Sequence, residues 1–479
     1  MIGRRELHEA QLALDTATDR HSWQAAATRF DRLSGGQQWR NDNRSDLYDH
    51  ELLASHLGKL RHARQTSQGD TLAATLSETL QRHYALMHEA QLWEGALTGG
   101  KRLVTAWLGE VEASLKWLVD HNSARLTWDR KLDALERASL DWGRSALMLS
   151  GGAGLGFLHL GVVRALLDAH LLPEVISGSS MGAAVAAVAC TRDDSELKEL
   201  LHNPIQFDLN GLSAQPLMSV FDTRSLFDEL RWSEALQTNI GPMTFREAFE
   251  HSGRALSVVV AALNGPNRVR VLNHITAPDV VIWTAVRASC AIPGLFPPSS
   301  LLCREAGQAE RPWRSDERFI DGSFWGDLPM QQLRRLFGVN HSIVSQANPL
   351  VLPWMAMRQG TGPVATSFDV AGALVLGSSR GLAGLAGRRL PNANMRRLVA
   401  DMWGIVDQAR EGDITIAPRV IAGDAAQILR NPKPQELREL LLRGARATWR
   451  WLPAIEEQTR IARVLRACLD DVLTQGEEA

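Results

Sequence analysis

The stretch Ser145-Ala146-Leu147-Met148-Leu149-Ser150-Gly151-Gly152-Ala153-Gly154-Leu155-Gly156 decides the fold class of this chain. Its short apolar run is typical of a buried strand, and the glycine cluster that follows is typical of a loop. A helix with Leu158, Val162 and Leu166 on its inner face is predicted next. Leu172 to Ser177 then predicts a second strand, and a small Ala/Val-rich helix follows it. A repeat of strand, turn and helix predicts an α/β domain with a mainly parallel sheet.

More β-prone runs follow, with helical stretches between them, and they place this α/β domain at 143–350. The runs are Ala255 to Leu263, Val280 to Trp283, Arg318 to Asp321 and Ser342 to Val344. Residues 1–142 are predicted to form a helical domain, because Pro is absent and apolar residues such as Leu103, Trp107 and Val111 recur at helical spacing. Residues 351–479 are predicted to be a mostly helical extension.

The composition describes an ordinary globular protein rather than a polyanion-binding one. The chain has 479 residues, a net charge of -2, 45% hydrophobic residues and 22% charged residues. We therefore expect no nucleic-acid partner. The four cysteines lie far apart without a C-x-x-C pair, which argues against a disulfide framework or a zinc cluster and favours a reducing compartment.

The sequence predicts a cytoplasmic location, because it shows neither a secretory signal nor a membrane-spanning run. The amino terminus lacks the apolar core of a secretory signal. No apolar run reaches the ~18 residues that a spanning helix needs, since Val370 to Ala386 is interrupted by glycines, serines and an arginine. This Gly-rich segment is a candidate for peripheral contact with lipid, and a plain surface loop is the alternative.

Gly178-Ser179-Ser180-Met181-Gly182 has the form G-x-S-x-G between a predicted strand and a predicted helix. That context suits a nucleophile elbow with Ser180 as the nucleophile. Glycines remove Cβ atoms where strand and helix meet, and the helix dipole favours a developing oxyanion. The pattern alone is equally consistent with a structural turn, so the surrounding sequence must decide.

The glycine cluster supplies this context, because serine hydrolases need backbone N–H donors aimed at the acyl oxygen. Gly151, Gly152 and Ala153 are the candidate oxyanion hole. A standard P-loop is excluded because Phe157 and Leu158 follow the last glycine where Lys and Ser/Thr would be required. The G-x-G-x-x-G fingerprint fails as well, so we expect no nucleotide cofactor, and no group of residues at metal-ligand spacing predicts a metal.

Asp321 is the candidate general base, since Phe319-Ile320-Asp321-Gly322 places a carboxylate at the end of an apolar strand. A plain Asp-Gly turn is the alternative. Histidine is the usual rival base. The histidines of this domain are His159, His170, His202, His251, His274 and His341.

Taken together, these motifs resemble the patatin-like phospholipase family. The chain carries the Ser150 glycine loop, His159-Leu160-Gly161-Val162-Val163, G-x-S-x-G, the run Ala288 to Pro298 and Asp321-Gly322 in that order. The resemblance implies a three-layer α/β/α core, a Ser-Asp dyad made by Ser180 and Asp321, and hydrolysis of lipid acyl esters. The chain departs from the family pattern at Leu155, where a basic residue is usual, and at Ser323, where a second glycine is usual. Both changes look typical of the triacylglycerol lipases within that family.

The flanking sequence resembles the helical domain of fungal and plant triacylglycerol lipases and their bacterial relatives. The residues that carry this likeness include Trp23 to Trp39, Arg61 with Arg64, and Gly99 to Leu103. The resemblance implies a substrate, triacylglycerol or phospholipid, at a membrane or lipid-droplet surface. An acyltransferase that uses the same acyl-enzyme, or a non-catalytic lipid-binding scaffold, are the alternatives.

A lipid esterase also needs an apolar channel beside its nucleophile. Ile292, Leu295 and Phe296 are the candidate channel residues, because they form an apolar, Pro-flanked run in the chain. Simple packing of this loop is an equally good interpretation of the same residues.

Overall fold

The structure is a computed structural model that describes most of the chain. The described ranges are 2–80, 90–121, 126–212, 227–264, 268–293, 295–305, 307–323, 328–349, 351, 412–419, 421 and 424–477. Two compact units are present: Met1–Ser145 with Arg334–His341 and Trp449–Ala479, and Ala146–Leu333 with Ser342–Thr448. The division into three domains at 142 and 350 stays a prediction. The segment Val370 to Ala386 lies outside the described residues.

The first unit is built from helices, as the sequence predicts. Its helices, numbered in chain order, are α1 (Ile2–Thr16), α2 (Arg20–Ser34), α3 (Gly36–Asn41), α4 (His50–Gln65), α5 (Gly69–Thr79), α6 (Arg102–Asp120), α7 (Trp128–Trp142) and, near the carboxyl end, α17 (Leu452–Glu477). Helix α6 packs against α4 and α17, and α17 also packs against α7. Trp107 on α6 is fully buried in this core.

Local sequence signals set the ends of these helices. Asp19 caps α2 by accepting a hydrogen bond of 2.9 Å from the Ser22 amide, and Gly35 ends the helix at φ 89°. A left-handed residue at this point is usually glycine, because a Cβ would be strained there. Asp49 caps α4 in the same way through the Leu52 amide at 2.9 Å.

The described residues contain a sheet of seven strands, and most residues of this sheet belong to the second unit. The sheet strands are β1 (Arg144–Leu149), β2 (Val175–Gly178), β3 (Ala255–Ala262), β4 (Val269–Leu272), β7 (Phe319–Asp321), β8 (Val339–Ser345) and β9 (Ile414–Ile416). Their order is β4-β3-β2-β1-β8-β9, with β7 also paired to β3. The pairs β1–β2, β2–β3 and β8–β9 are parallel, whereas β4 and β7 run antiparallel to β3. The predicted α/β class with a mainly parallel sheet is confirmed.

Helices and a separate hairpin complete the description of this region. The helices are α8 (Leu158–Asp168), α9 (Met181–Cys190), α10 (Asp194–His202), α11 (Glu229–Ile240), α12 (Phe245–Ser252), α13 (Ile282–Ser289), α14 (Met330–Phe337), α15 (Asp424–Gln427) and α16 (Pro434–Trp449). Strands β5 (Leu301–Cys303) and β6 (Arg311–Trp313) form the hairpin. Helix α9 packs on β2 and β3, and α13 packs on β3 and β7.

One predicted strand is wrong. The run Val280 to Trp283 forms only isolated bridges, from Val280 to Cys303 and from Val281 to Thr244, and α13 begins at Ile282. A short apolar run cannot distinguish a buried strand from the first turn of a buried helix. The helix predicted after the glycine cluster is present, but a 3-10 turn (Ala153–Phe157) comes before it.

Within the described residues, every helix is too short or too polar to cross a lipid bilayer.

Candidate active site

Ser180 lies in the turn between β2 and α9 with a strained backbone. Its φ of 53° and ψ of -127° are unusual for a residue with a side chain. Added Cβ atoms at Gly178 and Gly182 would lie 2.3 Å from the carbonyl oxygens of Gly182 and Leu149, respectively. Only glycine therefore fits at either side of Ser180, which explains the spacing of the G-x-S-x-G pattern.

Hydrogen bonds to the sheet hold this strained turn in place. The Ser180 amide donates to Ser289 Oγ at 2.9 Å, and Ser289 Oγ donates to the Val259 carbonyl at 2.7 Å. The Ser179 amide donates to the Leu149 carbonyl at 3.2 Å. A backbone conformation of this kind costs on the order of 1–3 kcal/mol and persists only when the surroundings enforce it. Ser289, which is fully buried on α13, is therefore a positioning residue for Ser180.

Asp321 ends strand β7 and is fully buried, with its backbone opposite Val260 on β3. Its Oδ1 accepts a hydrogen bond of 2.8 Å from the Ser323 amide. Burial raises the pKa of Asp321 from 3.8 to about 6, although hydrogen bonds from Ser323 and Ser180 oppose this rise. A carboxylate with such a pKa is a more effective base near neutral pH than an ordinary aspartate.

Ser180 and Asp321 are neighbours without a well-formed hydrogen bond. The Ser180 hydroxyl is close enough to lower the pKa of the Asp321 carboxyl. However, Asp321 Oδ2 has no partner at normal hydrogen-bond geometry. Catalytic hydrogen bonds are often loose before substrate binds. The free lone pairs of Oδ2 can therefore receive the serine proton.

Cys290 interacts with the Ser180 hydroxyl and with the charge of Asp321, and sequence reasoning gave it no role. Burial and the charge of Asp321 raise the pKa of its thiol well above the usual value, with a smaller opposing effect from the Ser180 hydroxyl. The thiol is therefore protonated at neutral pH. Ser289, Cys290 and Ser323 are the site residues that the sequence analysis missed. The available signal was the position of Ser289 and Cys290 inside the Ala288–Pro298 motif and of Ser323 directly after Asp321-Gly322.

The glycine loop lies against the nucleophile. A Cβ added to Gly151 would lie 3.5 Å from Ser180 Cβ and 3.7 Å from Ser323 Oγ. Among the described residues, the amides of Gly152 and Ala153 have no hydrogen-bond acceptor. Unused amides beside a serine are the donors that an oxyanion hole requires. The three residues of the predicted oxyanion hole are thus consecutive in a loop whose first member adjoins Ser180.

His159 is buried and serves the loop rather than the nucleophile. Its Nε2 lies 3.0 Å from the Ser150 carbonyl and its Nδ1 lies 2.7 Å from Ser345 Oγ. Burial lowers the pKa of His159 to about 4, so the ring is neutral at physiological pH. The carbonyl requires Nε2 to be the donor, which leaves Nδ1 to accept from the serine hydroxyl.

The other histidines occupy different environments, most of them with defined partners. His202 pairs with Asp168, and His251 pairs with Glu196. His341 bonds Ser145 and Gln458. His274 stacks on Phe249, and His170 is exposed. In the described part of the chain, neither Ser180 nor Asp321 has a histidine among its contacts. This arrangement favours a carboxylate as the base.

Two of the candidate channel residues, Leu295 and Phe296, have Phe227 as a common neighbour. Phe296 is buried, with ring centroids 5.6 Å from Phe227 and 5.9 Å from Trp232. The Leu295 carbonyl accepts from the Phe227 amide at 3.2 Å, and Ile292 is only half-buried. Their role in a channel stays a prediction.

Within the described ranges, one group of possible metal ligands lies close together. Asp193, Glu196 and His251 place ligand atoms within 4.8 Å of one another. Asp193 and Glu196 form the capping box of α10, and His251 bonds Glu196 at 2.8 Å. Helix capping and a surface ion pair therefore explain this grouping.

Two segments of the chain match families of known proteins. Residues 147–334 match the family described as patatin-like phospholipase. Residues 2–140 match a domain of unknown function, DUF3336. The first match contains every residue of the candidate site described above.

Relatives extend the similarity beyond these two segments. The chain is 31% identical to triacylglycerol lipase ptl3 of Schizosaccharomyces pombe, over 98% of this chain and 99% of that protein. It is 32% identical to triacylglycerol lipase SDP1L of Arabidopsis thaliana, over 89% of this chain and 55% of that protein. The crystal structure of VipD from Legionella pneumophila aligns with a TM-score of 0.33 at 15% identity, over 65% of this chain and 67% of that one.

Proposed function

The chain belongs to the patatin-like phospholipase family, and we propose that it is a serine lipid acyl hydrolase in which Ser180 and Asp321 form a catalytic dyad. The observation that carries this proposal is the strained Ser180 beside a buried carboxylate whose pKa is raised to about 6. Two observations among the described residues support it: the amides of Gly152 and Ala153 in the adjoining loop have no acceptor, and the site has no histidine contact.

Acylation follows from this geometry. Asp321 Oδ2 takes the proton of the Ser180 hydroxyl while Oγ attacks the ester carbonyl carbon. The negative charge on the former carbonyl oxygen is stabilised by the amides of Gly151, Gly152 and Ala153. When the tetrahedral intermediate collapses, the protonated Asp321 returns the proton to the departing alcohol, and the acyl group remains on Ser180.

Deacylation repeats these roles with water as the nucleophile. Asp321 removes a proton from water, the hydroxide attacks the acyl carbon, and the same amides stabilise the second oxyanion. The fatty acid leaves and Ser180 regains its proton from Asp321. Because Ser289 fixes the Ser180 amide, we expect Ser180 to keep its position relative to Asp321 and the Gly151–Ala153 loop during both steps.

Triacylglycerol is the first substrate we propose, with phospholipid as the second. Triacylglycerol lipase is the printed name of ptl3, which matches this chain over nearly its full length, and this supports the choice. Since such lipids exist as aggregates, we place the enzyme at the surface of a membrane or lipid droplet, in a cytoplasmic setting.

The direct test is covalent labelling combined with product analysis. A fluorophosphonate should label the wild-type protein and fail to label Ser180→Ala, and release of fatty acid from triolein or phosphatidylcholine should disappear with the label. His202→Ala is a matched control, since His202 is a surface residue paired with Asp168. Undiminished labelling or hydrolysis in Ser180→Ala would overturn the proposal. Transfer of the acyl group to an added alcohol in preference to water would reassign the enzyme as an acyltransferase.

A further inference from the structure

A large cavity lies in the helical first unit, between α5, α6 and α7. Its volume is about 550 Å³. The apolar residues that line it come from all three helices and include Ala73, Leu76, Leu115, Leu118, Leu135 and Ala138. Packed helices seldom leave voids much larger than a water molecule, whereas ligand sites occupy roughly 300–1,000 Å³. This cavity therefore has the size of a ligand site.

The cavity follows α7 for most of the length of that helix. Its lining on α7 extends from Arg130 to Asp141, which corresponds to roughly 16 Å along the helix axis. Lys131, Leu135 and Ala138 lie on its inner side at positions i, i+4 and i+7, and all three are buried. The lining residues Arg130 and Asp141 are exposed, so the cavity is elongated and opens to solvent along one edge of α7.

The volume of the cavity suits one unbranched hydrocarbon chain. A methylene group takes up about as much space as a water molecule in the liquid, roughly 30 Å³. A volume of 550 Å³ therefore holds a chain of roughly 16 to 18 carbons and a small head group. A lipid with two or three such chains is too large.

The charged residues of the described lining give the cavity a positive charge. They comprise three cations, Arg130, Lys131 and Arg137, and two anions, Asp133 and Asp141. Arg137 and Asp133 form an ion pair of 2.9 Å at the surface. Apart from this pair, the lining carries two cations and one anion. An apolar wall with a cationic edge is the environment that a chain with an anionic head requires.

Lys131 brings this positive charge to the inner side of the cavity. It is 7% exposed, and its Nζ donates a hydrogen bond of 2.9 Å to the carbonyl of Val119, another lining residue. Burial lowers the pKa of Lys131, with a smaller opposing effect from the charge of Asp120. Burying a charge is unfavourable unless a counter-ion compensates it, so a carboxylate inside the cavity would stabilise the ammonium group.

We propose that this cavity binds one long-chain fatty acid, with its carboxylate near Arg130 and Lys131 and its chain between α5, α6 and α7. All but one of the described lining residues belong to the segment 2–140, which matches the domain of unknown function. The proposal thus assigns a ligand to that domain. It does not depend on the dyad, because every described lining residue lies in the first unit.

Photo-crosslinking of the full chain locates the ligand. The probe is hexadecanoic acid that carries a diazirine near the end of its chain, and mass spectrometry identifies the modified peptides. We expect adducts within 69–80, 115–119 and 126–141, the segments that line the cavity, and excess oleate should suppress them. The Ser180→Ala protein should give the same adducts, since the cavity lies outside the catalytic unit. Adducts confined to other segments would overturn the proposal.

Leucine substitutions on two walls test the fit of the chain. Ala73→Leu on α5 and Ala138→Leu on α7 each add three carbons to the lining. If these carbons displace three methylenes of the ligand, oleate should bind more weakly by on the order of 50-fold. Ala106→Leu is the matched control, because it adds the same side chain at an exposed position of α6 outside the lining. Thermal melting identifies a variant that has lost its fold.

The carboxylate is tested by comparing oleate with oleyl alcohol, which has the same chain without the charge. The wild type should bind oleate about tenfold more tightly, because hydrogen bonds to charged groups are stronger than neutral ones. Lys131→Met keeps an unbranched side chain and should reduce this preference. Arg102→Gln removes a charge at an exposed position of α6 outside the lining and should leave the preference unchanged.

The outcomes separate this inference from the proposed function. Equal oleate affinities in the wild type and in the folded leucine variants, or equal affinities of the wild type for oleate and oleyl alcohol, would overturn the fatty-acid assignment. These measurements require no turnover, so such results would leave the dyad untouched. Hydrolysis that persists in Ser180→Ala would instead overturn the dyad and leave the cavity assignment standing.

Discussion

Replacing Asp321 by Asn tests catalysis and stability with one substitution. Asn keeps the shape of the side chain and its Oδ1 can still accept from the Ser323 amide, which lies 2.8 Å away. It cannot take a proton from Ser180. Removal of a general base should lower turnover by about 10²- to 10⁴-fold. In the wild type, activity should fall as pH drops through about 6, because the buried carboxyl then becomes protonated and stops acting as a base.

The same carboxyl should make folding stability depend on pH. Its pKa is 3.8 when it is unperturbed and about 6 in the folded protein, so the folded state binds the proton more tightly. The favourable contribution of this carboxyl to the free energy of folding is complete below its pKa in the unfolded chain. It is lost as pH rises through its pKa in the folded protein. The difference between these two pKa values corresponds to roughly 3 kcal/mol in total. About half of this amount should disappear between roughly pH 5 and pH 7.5.

Urea unfolding of both proteins at these two pH values provides the assay. Asp321→Asn should lack this part of the pH dependence, so its stability relative to the wild type should improve by on the order of 1–1.5 kcal/mol at the higher pH. Comparing differences removes any fixed cost of the new amide group. Parallel pH dependences for the two proteins, or nearly full activity in Asp321→Asn together with collapse in a histidine variant, would refute the reasoning.

Further predictions concern the elbow, the base, the loop and metals. Ser180→Gly should abolish labelling yet raise the free energy of unfolding by about 1–3 kcal/mol in denaturant titrations, because glycine tolerates the strained backbone. Ser323→Gly removes a hydroxyl that lowers the pKa of Asp321, so the acid limb of the pH–rate profile should move to higher pH. Gly151→Ala should fold, since its Cβ would lie 3.5 Å or more from the nearest atoms, but it should lose activity in ester assays. Gly154→Ala should lower the melting temperature, because its Cβ would lie 2.0 Å from a carbonyl oxygen. EDTA should leave hydrolysis unchanged.

The parts of the molecule that local sequence determines were predictable. The strand before the glycine cluster ends at Leu149, and the G-x-S-x-G turn places Ser180 between β2 and α9. Both features depend on residues adjacent in the chain, where glycine and apolar runs have direct conformational meaning. The run at Val280 was assigned wrongly because four apolar residues satisfy a strand and a helix equally well.

Contacts between distant segments could not be predicted from the sequence. Ser289 binds Ser180, which is 109 positions away in the chain, and Cys290, the next residue, interacts with the Ser180 hydroxyl and the Asp321 charge. The pairing of Asn239 and Asn431 with the loop before residue 213 is equally non-local. No periodicity encodes such pairs, since they depend on how strands and helices are arranged in space rather than on spacing along the chain.

The strained turn at Ser180 also bears on the order in which the protein matures. Its conformation is imposed by the Ser289 and Val259 relay and by the close approach of Gly182 to Leu149. These contacts exist only after strands β1, β2 and β3 have assembled and α9 and α13 have docked. A chain in which these contacts have not formed lacks what holds Ser180 in its strained conformation. With Ser180 as the proposed nucleophile, we expect lipolysis only once the sheet is complete, so that an unfinished molecule does not attack the lipid around it.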